Sequence, residues 1–327
     1  MQEPGIKDSV LVLGATGQIG NALTHGLIDK APRVTVLVRK PAAFPECVKV
    51  NMAPVFTREA FKDALAGIDH VVYALGAPNQ WMCDQGAFQR ANIQMLENCL
   101  AAMAETGVSK LTYISTFEIF AAQGKVIREE HSISESELPQ SFETMRQAFR
   151  ILRAKEGAGS IRLLTIHPAA VYGGINTANG FTDYLLNLVN RKILRSPAIV
   201  AGKFPLVHVD SLVQGTLSAL AKSDFGQAYI LSDGMTSLRE MAVALKLLRP
   251  RAYMPFRIPQ AMAESNAIVS EWVSRFVTGK PPLVARDHLK FITQEYEPIA
   301  EKAEKYLGWK PMSLDDGLRR FLERYRL

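Results

Sequence analysis

Residues 9–30 read SVLVLGATGQIGNALTHGLIDK. SVLVLG (9–14) is a short apolar strand, and IGNALTHGLIDK (19–30) has helical spacing. Between them the glycines at 14, 17 and 20 follow a G-x-x-G-x-x-G pattern, not the commoner G-x-G-x-x-G. Glycines there permit a tight turn and a close backbone approach. The free amides and dipole of the helix start then favour a pyrophosphate. Such glycines also serve bare turns, but a place between strand and helix favours the dinucleotide reading. Gly14, Thr16, Gly17, Gln18, Ile19 and Gly20 are therefore candidate cofactor contacts.

The same rhythm continues along the first half. RVTVLVR (33–39), HVVYALG (70–76), KLTYIST (110–116) and IRLLTIH (161–167) read as strands. REAFKDALAG (58–67), FQRANIQMLENCLAAMAETG (88–107) and the helix starting SFETMRQ (141–147) separate them. Apolar strands alternating with helices predict an α/β fold, a Rossmann-like doubly wound parallel sheet covered on both faces. After about residue 168 longer loops enter and helices dominate: 183–190, 238–248, 259–277 and 314–325. The expected division is a nucleotide-binding domain over 1–170, rejoined by about 200–232, and a mostly helical substrate portion over 171–327.

Composition sets outer limits. The 327-residue chain is 48% hydrophobic and 21% charged, ordinary for a globular protein. Cys47, Cys83 and Cys99 lack paired or metal-ligand spacing, which favours a reducing compartment and predicts no metal site. MQEPGIKDS has no apolar run after a basic start, and no stretch approaches the roughly 20 apolar residues of a bilayer span. A cytoplasmic protein without a membrane span is expected. The net charge of +6 is modest, and the cluster Arg191, Lys192, Arg195 and Lys203 lacks interleaved stacking aromatics, so no nucleic-acid partner is expected.

The second strand ends LVRK, with Val38 where an NAD site usually presents an acid. Arg39 and Lys40 follow. A carboxylate there would repel a 2′-phosphate, whereas a guanidinium grips it with two parallel hydrogen bonds. NADP(H) is expected over NAD(H), against the plainer reading of two solvated loop charges.

Taken together, these motifs resemble the extended short-chain dehydrogenase/reductase superfamily, of the NAD-dependent epimerase/dehydratase kind, nearly end to end. GIDHVVYALGA resembles the strand running beneath the cofactor, which implicates Leu75 and Gly76; Asn92 matches an asparagine of the next helix. YISTFEIF matches the strand carrying the active-site hydroxyl, making Thr116 its equivalent, with Ser115 beside it. HPAAVYGG resembles the R-P-x-x-V-Y-G-P stretch, with Pro168 retained and His167 in place of arginine. LVHVDSLVQGTLSAL and the ending KAEKYLGWKPMSLDDGLRRFLERY also match, and 259–282 looks most like the sterol-dehydrogenase and dihydroflavonol-reductase type. The resemblance implies a small-molecule substrate and a possible homodimer through a four-helix bundle, with 88–106 and 141–156 as candidate helices.

By the same resemblance, a tyrosine polarised by a lysine four residues later exchanges a proton with the substrate oxygen. Roughly 25 residues beyond the hydroxyl, by analogy with the family, stand Phe142 and Arg146. Phenylalanine has no proton to transfer, and arginine does not deprotonate. Arg146 can still hold ribose hydroxyls. Loss of a general acid typically costs about 10²–10⁴ in rate. Glu118 and Tyr172 lead the candidates for replacing it, ahead of Tyr73, His131 and His167. His131 reads as a loop residue and His167 as a satisfied core histidine. Trp81, Met82 and Phe88 can line an apolar pocket, or be plain core. Three functions stay open: an NADP(H)-dependent oxidoreductase on an alcohol or ketone, a catalytically silent NADP(H)-binding regulator or scaffold, and a lyase or isomerase. The retained substrate-side elements favour the enzyme.

Overall fold

The computed structural model describes residues 5–77, 84, 86–175, 180–192, 198–279, 281–282 and 284–327. Trp81, Met82, Cys83, Arg195 and Lys280 lie outside the described residues. In chain order the first half comprises β1 (Val10–Leu13), α1 (Gln18–Leu27), β2 (Val34–Val38), β3 (Val48–Met52), α2 (Arg58–Ala64), β4 (His70–Tyr73), α3 (Gly86–Gln89), α4 (Met95–Thr106) and β5 (Lys110–Ile114). Then come β6 (Val126–Ile127), α5 (Gln140–Gly157), β7 (Arg162–Pro168), β8 (Ala170–Tyr172), α6 (Phe181–Val189), β9 (Phe204–His208) and α7 (Val209–Lys222). The remainder is β10 (Ala228–Leu231), β11 (Gly234–Thr236), α8 (Leu238–Leu248), α9 (Gln260–Val273), α10 (Arg286–Gln294), β12 (Glu297–Pro298), α11 (Glu301–Leu307) and α12 (Leu314–Arg324).

Seven parallel strands form the main sheet, in the order β10-β7-β5-β4-β1-β2-β3. β1 is buried throughout, and its alternate side chains feed two cores. Val10 and Val12 pack with Leu23, Leu27, Leu212 and Leu220 of α1 and α7. Leu11 and Leu13 pack with Phe61, Leu96, Met103 and Leu152 of α2, α4 and α5. This two-sided burial explains the continuous apolar strands. β3 and β10 join the sheet beyond the five strands read from the sequence. VKVNM of β3 is mostly exposed at the sheet edge, so its strand pattern is weak.

The predicted helix over 88–107 is interrupted: residues Arg90–Gln94 form a π-helical turn between α3 and α4. Gly107 ends α4 in the left-handed conformation, at φ 75°. β8, β9 and β11 form a small second sheet. Tyr172, Leu185, Phe204, Leu206, Leu245, Leu318 and Phe321 build its core with α6, α8 and α12.

Candidate functional site

Strand order reverses between β1 and β4, and the glycine loop lies at their carboxyl ends, where ligands bind in open α/β sheets. Gly14 has φ +85°, and a Cβ on it would fall 2.4 Å from the Ala74 carbonyl oxygen. A Cβ on Gly20 would fall 2.2 Å from the Gly14 oxygen. The Gly17 amide donates to that same oxygen at 2.9 Å, closing the turn. Gly17 caps α1 in an extended conformation, and no side chain caps the helix. Thr16 and Gly17 are exposed, and Gln18 and Ile19 half-buried. Gln18 Nε2 donates to Thr182 Oγ1 at 3.3 Å, linking α1 to α6.

Arg39 and Lys40 are exposed beyond β2. The Arg39 guanidinium lies over the Phe56 ring, 5.9 Å from its centroid. On the other side of the glycine loop, Leu75 is half-buried and Gly76 exposed. The Ala77 amide donates to Asn92 Oδ1 at 2.9 Å, and Asn92 Nδ2 donates to Thr144 Oγ1 at 2.8 Å. Thr144 returns its own proton to backbone carbonyls of Gln140 and Ser141. Asn92 thereby ties the loop after β4 to the start of α5, a role only partly visible in its sequence position. Pro168 is buried at the end of β7, in register with Leu231 of β10.

Thr116 follows β5 and is 7% exposed. Its Oγ1 donates to Glu118 Oε2 at 2.5 Å. Glu118 keeps a partly accessible surface, yet burial of its carboxyl raises its pKa from 4.5 to about 8, against the lowering effect of the Thr116 bond. At neutral pH this is a carboxylic acid beside a hydroxyl. His167 fixes the backbone of the pair. Its Nδ1 lies 3.0 Å from the Thr116 carbonyl and its Nε2 2.9 Å from Thr165 Oγ1. A carbonyl only accepts, so Nδ1 carries the proton and Nε2 accepts from Thr165. Burial lowers the His167 pKa to about 4, so the ring stays neutral. Phe120 and Phe149 flank it at centroid distances of 4.7 and 5.4 Å. Thr165, Phe120 and Phe149 gave no sequence signal beyond an apolar pattern.

Phe142 is 8% exposed on the first turn of α5, with Phe149 and Leu152 also buried along that helix. Arg146, one turn on, is 7% exposed. Its guanidinium is engaged by the protein itself: Nη1 donates to the Ser134 and Ser136 carbonyls at 2.5 and 2.9 Å. Nη2 pairs with Glu143. The sequence could not foresee this, because the 134–136 loop returns over α5 only in the folded chain.

Tyr172 goes elsewhere. Its ring stands edge-on to His208 at 5.0 Å, and a Cβ on Gly317 of α12 would fall 1.9 Å from its hydroxyl. Burial pushes its pKa well above 10. These contacts join Tyr172 to α12 and not to Thr116 or Glu118. Tyr73 is also buried, its hydroxyl without a partner among the described residues. His131 Nδ1 lies 2.9 Å from the Ala121 carbonyl within its own loop. Phe291 of α10, from the second half of the chain, packs its ring 6.4 Å from that of Phe117, the residue between Thr116 and Glu118.

A glycine turn at a topological switch point, leading into an uncapped helix, defines a dinucleotide-binding α/β protein. The model of the NAD dependent epimerase/dehydratase family matches residues 10–231, and the chain belongs to that family, within the extended short-chain dehydrogenase/reductase superfamily. Mouse short-chain dehydrogenase/reductase family 42E member 1 is 26% identical over 94% of this chain and 85% of its own length. The 4-hydroxy-2-methyl-3-oxo-4-farnesyl-3,4-dihydroquinoline-1-oxide ketoreductase of Stigmatella aurantiaca is 25% identical over 68% of this chain and 67% of its own. Among solved structures, UDP-glucuronic acid 4-epimerase from Bacillus cereus in complex with NAD superposes with a TM-score of 0.72 at 16% identity, covering 97% of this chain and 99% of that one. The residues present fit a dinucleotide. The turn has no room for a Cβ at Gly14 or Gly20, and the first-turn amides of α1 face no capping side chain.

Proposed function

We propose that the protein is an NADP(H)-dependent oxidoreductase acting on an alcohol or ketone of a small, moderately apolar metabolite. In this reading Glu118, through Thr116, replaces the tyrosine as proton donor. The 2.5 Å contact between Thr116 Oγ1 and Glu118 Oε2 carries the reading, because it pairs a hydroxyl with a neutral acid. The dinucleotide, when bound, supplies hydride exchange. For reduction, the hydrogen bond turns about so that protonated Glu118 donates to Thr116 Oγ1 and the freed Thr116 proton points to the substrate oxygen. Thr116 then gives that proton to the oxygen, Glu118 passes its own to Thr116, and solvent reprotonates the Glu118 carboxylate. The ketoreductase named for a farnesylated dihydroquinoline oxide supports a ketone on an apolar frame. Arg39 and Lys40, with no acid at Val38, support the 2′-phosphate. Residues 1–170 with about 200–232 would hold the dinucleotide and 171–327 mainly the substrate. Two copies would pair through the helices at 88–106 and 141–156.

The test compares wild type with Glu118→Gln in NADPH oxidation against a panel of apolar ketones, with NADPH binding measured in parallel. Glu118→Gln is expected to slow turnover by about 10²–10⁴ while binding persists. An unchanged rate removes Glu118 from the mechanism. A second reading, a silent NADP(H)-binding protein, is favoured by Phe142 at the tyrosine position and by Arg146 bound to the 134–136 loop. NADPH binding by wild type without turnover of any ketone would favour it.

A further inference from the structure

α9 is inverted relative to an ordinary surface helix. Its inward face buries only small residues, Ala263 and Ala267, which pack with Val200 and Leu289. The bulky residues point outward: Met262, Ile268, Val269 and Trp272 are 53–60% exposed. The π-helical turn Ser274–Thr278 continues the helix, with Phe276 67% and Val277 69% exposed. On a helical wheel Met262, Ile268, Val269, Trp272 and Phe276 share one side, interrupted by Ser265, with Glu264, Glu271 and Arg275 along one flank. The Trp272 and Phe276 rings lie 5.4 Å apart. A soluble helix normally buries its large apolar residues and exposes polar ones. A contiguous exposed apolar face of this kind marks a contact with another phase or molecule.

We propose that this face docks on the surface of an anionic lipid bilayer. Charge selects the partner. Residues 249–290 hold seven Lys/Arg against three Asp/Glu, so this segment carries four of the chain's six net positive charges. Arg251, Arg257, Arg275 and Lys290 are exposed, while Arg286 is engaged by Glu271. A two-fold contact with a second copy would set this positive segment against its own image. Anionic headgroups complement it. On the flank of the face Glu271 is neutralised by Arg286, which leaves Glu264 against Arg275 and, just before the helix, Arg257. Tryptophan and phenylalanine on such a face suit the headgroup boundary. No helix among the described residues is long and apolar enough to cross a membrane, and the inner seam of α9 is held by Val200 and Leu289. The helix therefore lies along the surface. α10, which carries Leu289 beneath α9, also carries Phe291 beside Phe117, so the docked face lies one helix away from Phe117, the residue after Thr116 in the chain.

Flotation of the purified full chain with phosphatidylcholine vesicles, with and without phosphatidylglycerol, tests the proposal without reference to turnover. Binding is expected on the anionic vesicles and should weaken with salt. Trp272→Ser with Phe276→Ser should lower partitioning more than about tenfold, since both rings leave the lipid. Arg257→Glu with Arg275→Glu should weaken binding to anionic vesicles specifically. All four sites are exposed, and circular dichroism checks that the fold persists. A chain that stays unbound on anionic vesicles overturns the proposal, as does equal binding by the Trp272/Phe276 variant. So does a lipid-free dimer that the same variant disperses, since a second copy would then cover the face.

Discussion

Burial holds His167 neutral, with its pKa near 4, so its Nδ1–H donates to the Thr116 carbonyl across the working pH range. His167→Leu keeps bulk but removes that donor, and turnover should fall while NADPH binding, measured by fluorescence, holds. Glu118 titrates in the opposite sense. Its raised pKa, about 8, means that the protonated form prevails below that value and is lost above it. The rate of ketone reduction should therefore be level below about pH 8 and decline above it, and the residual rate of Glu118→Gln should lack that decline. A profile identical in the two proteins would assign the titration to another group. Phe142 places an inert ring where the family resemblance leads one to expect a phenol. If Glu118 supplies the proton, Phe142→Tyr should alter the reduction rate by less than about tenfold, well short of a general acid's effect.

At the scale of elements, the β1–α1 turn tolerates no added atoms. A Cβ at position 20 would meet the Gly14 carbonyl oxygen at 2.2 Å, and backbone, not a flexible side chain, would have to give way. Gly20→Ala should thus lower stability by about 1–3 kcal/mol, read from the denaturation midpoint, and weaken NADPH binding as the turn opens. A second device joins strand starts. Asp8, just before β1, bonds Lys110 of β5 at 2.6 Å and faces His70 of β4 at 3.5 Å. The His70 bond, ahead of Lys110, holds the Asp8 carboxyl well below its usual range. Its ionised form then stabilises the fold above the ordinary carboxylate pKa, and the benefit is lost as pH falls below it. Asp8→Asn should be less stable than wild type at pH 7, with the gap narrowing as solutions become acidic.

For the whole molecule, the sheet and the second layer meet at the glycine loop. Gln18 reaches Thr182 of α6, and a Cβ on Gly174 would fall 2.4 Å from the Gln18 side chain. A dinucleotide seated on that loop would bind only the folded chain. At a hundred times its dissociation constant it should raise stability by about 2.7 kcal/mol, seen as a higher melting temperature. NADPH should raise it more than NADH at equal concentration, and Arg39→Ala should erase the difference. Equal shifts in wild type would count against the NADP(H) assignment.

Much of this was legible in the chain itself. The apolar strands, the glycine turn and the helices between them encode a doubly wound sheet, because two-sided burial and a close backbone approach impose local patterns. Thr116 and Phe142 stand out only through the resemblance of YISTFEIF and SFETMRQ to family motifs, and Glu118 through its nearness to Thr116. What the sequence could not carry were relations between distant segments. Edge strand β3 has a mixed pattern since one side meets water. Arg146 turns to carbonyls of the 134–136 loop, and Tyr172 to a glycine of α12, because side chains follow contacts made only on folding. The acidity of Glu118 and the neutrality of His167 depend on desolvation, which no residue possesses alone. Helical spacing located α9, but only tertiary packing decided which of its faces was left outside.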